Sequence, residues 1–207
     1  TLSLIADETI GSLTGPAGTV ALGGNTLTVG NGSFGGVISS TVGGGLTKQG
    51  PGTLTLSGAN TSYLGTTSVN AGALRVASDA ALGSGGGGTT VAAGAAVEIE
   101  GSGLSIAESF TLNGPGVSSG GALRNLANAN EVTGAIALGS ATRISSDSGT
   151  LTLSGGVNNN GSLLTVGGAG NTVISGGVAG AGGLAKQNGG ALTLSGTNTY
   201  AGATTVN

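Results

Sequence analysis

Short runs in which aliphatic residues alternate with small or polar ones recur along the whole chain. Leu2 and Leu4, Leu27 and Val29, Leu54 and Leu56, and Leu74 and Val76 each bracket one such residue. Val97 and Ile99, Ile136 and Leu138, Leu151 and Leu153, and Leu192 and Leu194 repeat the habit. A period of two puts the bracketing residues on one face of a strand and the intervening Thr, Ser, Arg or Glu on the other. The runs end in Gly or Asn, which supply turns. No segment carries a 3.6-residue stripe, and Gly and β-branched residues recur too often for helices. The pattern predicts a chain made of strands and turns.

Two architectures satisfy that prediction: a two-sheet sandwich, or a single strand coil wound upon itself. Sandwiches bury large aromatics, and this chain has only Phe34, Phe110, Tyr63 and Tyr200. A narrow solenoid interior is filled by the Val, Leu, Ile and Ala that the chain offers, and its tight corners suit Gly. A coil of about 20–25 residues predicts about nine turns and, at about 4.8 Å per stacked strand, a rod about 40–50 Å long.

An internal repeat favours the same reading. Gly44–Asn70 (GGLTKQGPGTLTLSGANTSYLGTTSVN) and Gly182–Asn207 (GGLAKQNGGALTLSGTNTYAGATTVN) are identical at about two thirds of their positions, offset by one residue at Ser62. Self-similar units are the mark of stacked arrays.

Composition narrows the function classes. Of 207 residues, 47 are Gly and only 6% are charged, with mean hydropathy +0.33. Low charge argues against a solvated disordered tail, and Gly without a three-residue period excludes collagen. The longest apolar stretch, Val91–Val97, is far short of the roughly 20 residues a membrane helix needs. No secretory signal opens the chain, so an interior piece of a longer protein, or a mature product, is expected. Five bases and eight acids give a net charge of −3 with no basic stripe, which disfavours nucleic-acid binding. The absence of Cys and His removes the usual thiol nucleophile and general base.

The run FGGVISSTVGGGLTKQGPGTLTLSGANTSYLGTTSVNAGALRV from Phe34 resembles the passenger-associated transport repeat of autotransporters, the type V secreted proteins of Gram-negative bacteria. The resemblance extends to Thr9–Asn31, Gly121–Leu126 and Gly134–Gly155. It implies an all-β right-handed parallel β-helix of about nine coils, displayed at the cell surface or secreted, and anchored through an outer-membrane translocator barrel in the parent protein. The whole of residues 1–207 is expected to be one β-helix segment of a longer passenger, with repeat motifs at 34–76 and 172–207. Thr1–Asp7 aligns with Ala73–Asp79 and Val206–Asn207 with Val69–Asn70, so the chain approximates one period of a continuing solenoid. Open strand edges at both ends would favour end-to-end stacking.

Candidate chemistry is sparse. Asp7 and Glu8 are adjacent and so point to opposite faces of a strand. Glu98 and Glu100 share a face and could flank a bond or hold a cation, or simply keep the rod soluble. A carbohydrate-active enzyme would require Glu98, Glu100, Glu108 and Glu131 to converge in a cleft. Gly85–Gly88 lacks the acid of a calcium-binding nonapeptide turn, and Gly83–Gly88 lacks the Lys-Ser/Thr of a phosphate loop. Lys48 and Lys186 occupy equivalent repeat positions, as do Tyr63 and Tyr200; each Lys is expected to solvate a turn and each Tyr to plug a corner. Thr26, Thr28, Thr53, Thr55, Thr66, Thr150, Thr152 and Thr193 should project outward, an array that could order water and bind ice, although β-propensity alone explains abundant Thr. The expectation is a non-enzymatic stalk of a surface adhesin, with no catalytic, cofactor-binding or metal-binding residues and no cofactor. Its expected partners are further copies, stacked axially or laterally, and a host or neighbouring cell surface. No membrane insertion of this segment is expected.

Overall fold

The alternating runs do become strands, and each strand lies on the one a coil earlier. The computed structural model describes residues 1–41 and 43–207. Every strand pairing among them is parallel, and the chain forms a β-solenoid of about ten turns, close to the nine expected. Parallel strands cannot be joined by tight hairpins, so the chain must travel round the coil between rungs. Steric packing makes such crossovers right-handed in nearly all proteins.

Each turn visits three faces in the order one, two, three. Face one contains Leu46–Lys48, Thr67–Val69, Thr89–Val91 and the first part of Ile136–Ser146. Face two contains Thr53–Leu56, Ala73–Val76, Ala96–Ile99, Leu123–Asn125, Leu164–Gly167, Leu184–Lys186 and Thr204–Val206. Face three holds Thr19–Ala21 and Val37–Ser39 near one end and Ala129–Val132, Thr150–Leu153, Asn171–Ile174 and Leu192–Leu194 near the other.

Coil length is not constant. On face one Glu8 pairs with Leu27, Leu27 with Leu46, Leu46 with Thr67 and Thr67 with Thr89. The ladder continues from Thr89 to Phe110, Ile136, Val157 and Val178. Steps of 19 to 22 residues are the rule, and one, from Phe110 to Ile136, takes 26. The extra residues form an outward loop: a 3-10 turn at Val117–Ser119 closed by a bridge between Gly116 and Gly121.

The interior is a column of aliphatic rungs. Leu54, Leu74, Val97, Leu123, Ile144 and Val166 stack in register, all buried. Full burial of each such side chain contributes about 1.5–3 kcal/mol. Of the alternating pairs singled out in the sequence, Leu27 with Val29, Leu74 with Val76, Val97 with Ile99 and Leu151 with Leu153 are fully enclosed. Leu192 and Leu194 pack half-buried against the same core. Leu2 departs from the pattern: it is 49% exposed, while Leu4 is buried. Close coil stacking also dictates glycine at particular corners. A Cβ on Gly65 would collide with the carbonyl of Gly44 one coil below, and one on Gly202 would collide with Gly182, the position equivalent to Gly44.

Candidate interaction faces

The repeat motif spends its polar side chains on holding coils together. Lys48 occupies an inward rung between Val29 and Val69 and is fully buried. Its Nζ donates to the carbonyls of Gln49 (3.1 Å), Gly50 (2.8 Å) and Ala71 (2.9 Å), the last from the next coil. Three acceptors match the three N–H donors of an ammonium, and burial lowers the Lys48 pKa from its ordinary value. Lys186 donates in the same way to the carbonyls of Gln187 and Asn188, both at 2.7 Å. The lysines therefore cap turn carbonyls from within the wall and do not solvate the turns from outside.

Tyr63 does plug a corner. It is 2% exposed, accepts from the Leu46 N–H (2.9 Å) and donates to the Thr66 carbonyl (2.6 Å), with Thr67 Oγ1 at 3.4 Å. Burial is the main cause raising its pKa. Tyr200 pairs with Thr204, the equivalent of Thr67, at 2.7 Å. Asn60 Oδ1 accepts from the Ile38 N–H (2.7 Å), and its counterpart Asn198 accepts from the Val178 N–H (2.9 Å). The two lysines thus share two turn-carbonyl partners, the two asparagines each accept a backbone N–H from the coil before, and the two tyrosines each meet the same threonine position.

The two copies nevertheless lie on different faces. Leu46–Lys48 stacks on Leu27–Val29 in face one, whereas Leu184–Lys186 stacks on Leu164–Val166 in face two. Likewise Thr53–Leu56 is in face two and its equivalent Leu192–Leu194 in face three. From Leu46 the face-one ladder climbs six rungs to Val178, and Leu184 follows one face further on. The repeat spacing equals six turns plus a third, so the second copy is the first rotated by one face.

Charge is concentrated on the outside of face two. Arg75, Glu98 and Arg124 are consecutive rungs. Arg75 Nη2 lies 2.8 Å and Arg124 Nη1 3.5 Å from the Glu98 carboxylate, Arg75 also reaches Glu100 at 3.4 Å, and Arg124 reaches Asp147 at 2.6 Å. Glu98 is only 7% exposed, sandwiched between two guanidinium groups. Hydrogen bonding to Glu98 raises the Arg75 pKa and hydrogen bonding to Asp147 raises that of Arg124. Glu98 and Glu100 do share a face, but both are held by arginine.

Face one is the contrasting surface. Its outward rungs run Thr9, Thr28, Thr47, Ser68, Thr90, Thr111, Ala137, Asn158, Ala179 without a charged residue. The first six carry hydroxyls in register. A groove of about 630 Å³ follows Ser68, Thr90, Thr111 and Asn158. Thr26, Thr28, Thr53, Thr55, Thr150 and Thr152 are half-buried, and Thr66 and Thr193 exposed, as outward strand positions should be.

The remaining acids do not converge with Glu98 and Glu100. Asp7 Oδ1 accepts from the Thr26 N–H at 2.7 Å, and Glu8 is exposed. Glu131 lies on face three, hydrogen-bonded to Ser154. Glu108 is 2% exposed, with one oxygen accepting from Thr89 Oγ1 (2.7 Å) and the other without a hydrogen-bond partner. Burial raises its pKa above the ordinary carboxylate value. Among the described residues no three acids are grouped as a metal site would need. The Arg75–Glu98–Arg124 ladder escaped the sequence reading because its members are 23 and 26 residues apart. Only the coil length of each turn would have aligned them.

Stacked parallel coils carrying two copies of one capping motif define a repeat-built solenoid, and the matched family says which kind. The passenger-associated-transport-repeat matches residues 46–76 and 184–207. The adhesin BmaC autotransporter of Brucella suis biovar 1 (strain 1330) is 35% identical over 176 residues, which is 84% of this chain and 4% of that protein. No solved structure matches the chain. Both matches support an autotransporter passenger built with passenger-associated transport repeats, and with it a secreted or outer-membrane surface location in a Gram-negative bacterium.

Proposed function

We propose that residues 1–207 form a non-enzymatic stalk segment of a longer surface adhesin, which associates laterally with further copies through face one and presents its other faces to a cell surface. The name of the Brucella relative supports the adhesive role, and the parent protein would carry the outer-membrane translocator barrel. The observation that carries the reading is how the ionisable side chains are used. Lys48 and Lys186 cap carbonyls, and Arg75 and Arg124 are tied to Glu98, Glu100 and Asp147. Glu98 sits on face two, Glu131 on face three and Glu108 in the connection leading to face one, which argues against the paired carboxylates of a glycosidase.

Face one supports the lateral contact. Each hydroxyl is both donor and acceptor, so the row is complementary to itself. A twin has the same rise per rung, so its hydroxyls would meet these over the six hydroxyl-bearing rungs, with no like charge to repel it. Sedimentation of the purified chain tests this. Concentration-dependent association that Thr90→Glu with Thr111→Glu abolishes is expected; a monomer at every concentration overturns the lateral contact. Loss of adherence to host cells when the chain is deleted from the parent protein is the expected result for the adhesive role. Release of reducing sugar from a polysaccharide panel would instead make it an enzyme, and thermal hysteresis would make it an ice binder.

A further inference from the structure

Among the described residues, Arg143 is the one arginine without a carboxylate partner. Arg75 and Arg124 share three acids. Arg143 donates only to neutral oxygens: Ser145 Oγ (3.0 Å), Gln187 Oε1 (2.8 Å) and Asn188 Oδ1 (2.6 Å). A guanidinium has five N–H donors, so one remains on each terminal nitrogen. Accepting from Arg143 through Oε1 also leaves the Gln187 NH2 to donate elsewhere. The guanidinium reaches across Gly167, where a Cβ would collide with it, to residues two coils on. That position is held for it by the missing side chain.

The same place is where the coil series is interrupted. The outward loop of the 26-residue coil overhangs Arg143, and Pro115, Ser119, Arg143, Thr165 and Gln187 line a groove of about 340 Å³. Ser118 (φ 49°) and Ser119 (φ 59°) both adopt left-handed backbone within this loop. Two adjacent non-glycine residues there are strained, and such strain concentrates at binding sites. No other step along face one has an excursion of this length.

We propose that this groove binds an acidic saccharide, with Arg143 receiving its carboxylate or sulfate and Ser119, Thr165 and Gln187 its hydroxyls. The assignment deepens the adhesive reading and depends on it for its role at a cell surface. A guanidinium fork matches the two oxygens of a carboxylate or sulfate, and hydroxyl and amide groups on the walls suit a polyol more than an acidic peptide. Bound anion would neutralise a charge that the protein itself leaves unmatched.

Titration of the isotope-labelled 207-residue chain with a sulfated uronate tetrasaccharide, followed by NMR, tests the site. Saturable shifts of the Arg143 and Gln187 side-chain resonances are expected, weakening as salt is raised. Arg143→Gln should weaken binding by roughly tenfold or more, and Arg143→Lys by less, since a lysine keeps the charge and loses the fork. Gly167→Ala keeps every ionisable group and dislodges the guanidinium; it should weaken binding while the circular dichroism spectrum is unchanged. Equal binding by Arg143→Gln and the parent chain overturns the site, as does binding of the uncharged tetrasaccharide with the same affinity. Equal affinity for a tetra-aspartate peptide overturns the saccharide assignment. Failure of this titration leaves cell adherence of the parent protein untouched, so the two readings are separated.

Discussion

Residues 46–76 and 184–207 share a sequence and do not share a setting. The first copy has coils on both sides: Leu46–Lys48 lies between Leu27–Val29 and Thr67–Val69. The second lies one face further round, with Leu184–Lys186 between Leu164–Val166 and Thr204–Val206. Equivalent side chains keep part of their bonding in unequal surroundings: Lys48 has three carbonyl partners and Lys186 two, and Tyr63 is enclosed and bonded to Leu46, Thr66 and Thr67 where Tyr200 is half-buried and bonded to Thr204. The motif specifies a corner and its caps, and the coil beneath and above determines how much those caps are worth. A solenoid whose stability is a sum of unit and neighbour terms should behave this way.

The sharpest break between the copies is at the tyrosines. Tyr63→Ala removes an enclosed ring and the hydroxyl that ties Leu46, Thr66 and Thr67. A loss of about 3–5 kcal/mol is expected, the range for deleting a buried aromatic. Tyr200→Ala should cost less than half as much. Urea unfolding of the two variants measures the difference, and equal losses would mean that neighbouring coils add nothing to the motif.

The lysines should follow at smaller scale. Lys48→Met keeps the buried stem and strips the donor from three carbonyls, for about 1–3 kcal/mol. Lys186→Met, with two carbonyls on a partly exposed corner, should cost about 1 kcal/mol or less. Denaturant midpoints resolve the two. A larger effect at Lys186 would reverse the ranking that burial predicts.

A third contrast is a group that only the first copy has beside it. Glu108 bonds to Thr89, which stacks on Thr67 in the Tyr63 corner. Its pKa is raised by burial from 4.5, so the folded chain binds this proton more tightly than the unfolded one. The stability associated with it is full below the unfolded value and falls as pH rises through the folded value. Glu108→Gln should flatten that decline and stabilise the chain by about 1 kcal/mol at neutral pH, because a neutral amide replaces a carboxylate whose charged form burial disfavours. A decline with pH that is unchanged in Glu108→Gln would assign it to another acid.

Much of this was legible before any coordinates. Period-two alternation located the enclosed rungs, such as Leu54, Leu74 and Leu151, because the strand itself fixes which side a residue faces. The repeat located the corners, with Tyr63 inside one of them. What could not be read is anything that depends on how many residues each turn consumes. Lys48 looked like a turn residue because nothing local says that a strand continues through it. Glu98 looked like half of a carboxylate pair because Arg75 and Arg124 are a coil away on either side. The groove at Arg143 needs the loop at 115–121 and two later coils to exist at all.

The rotation itself is the subtlest difference between the copies and carries no expected change in stability. Thr47 and Ala185 are equivalent in sequence and sit on the outward side of their strands, in face one and face two respectively, Thr47 half-buried and Ala185 covered. Ala179, six residues before Ala185, is the position that stands on the same face-one row as Thr47, six rungs above it. At about 4.8 Å per rung the two are about 29 Å apart along the axis. The chain has no native cysteine, so spin labels can be placed at chosen pairs of these sites without interference. The Thr47–Ala179 distance should be the shorter and the Thr47–Ala185 distance the longer, since the latter also goes a third of the way round the coil. The opposite order would place both copies on one face and make the repeat a whole number of turns. Confirmation would mean that each further copy at this spacing turns its motif by another face, so that a fourth copy returns to the starting side.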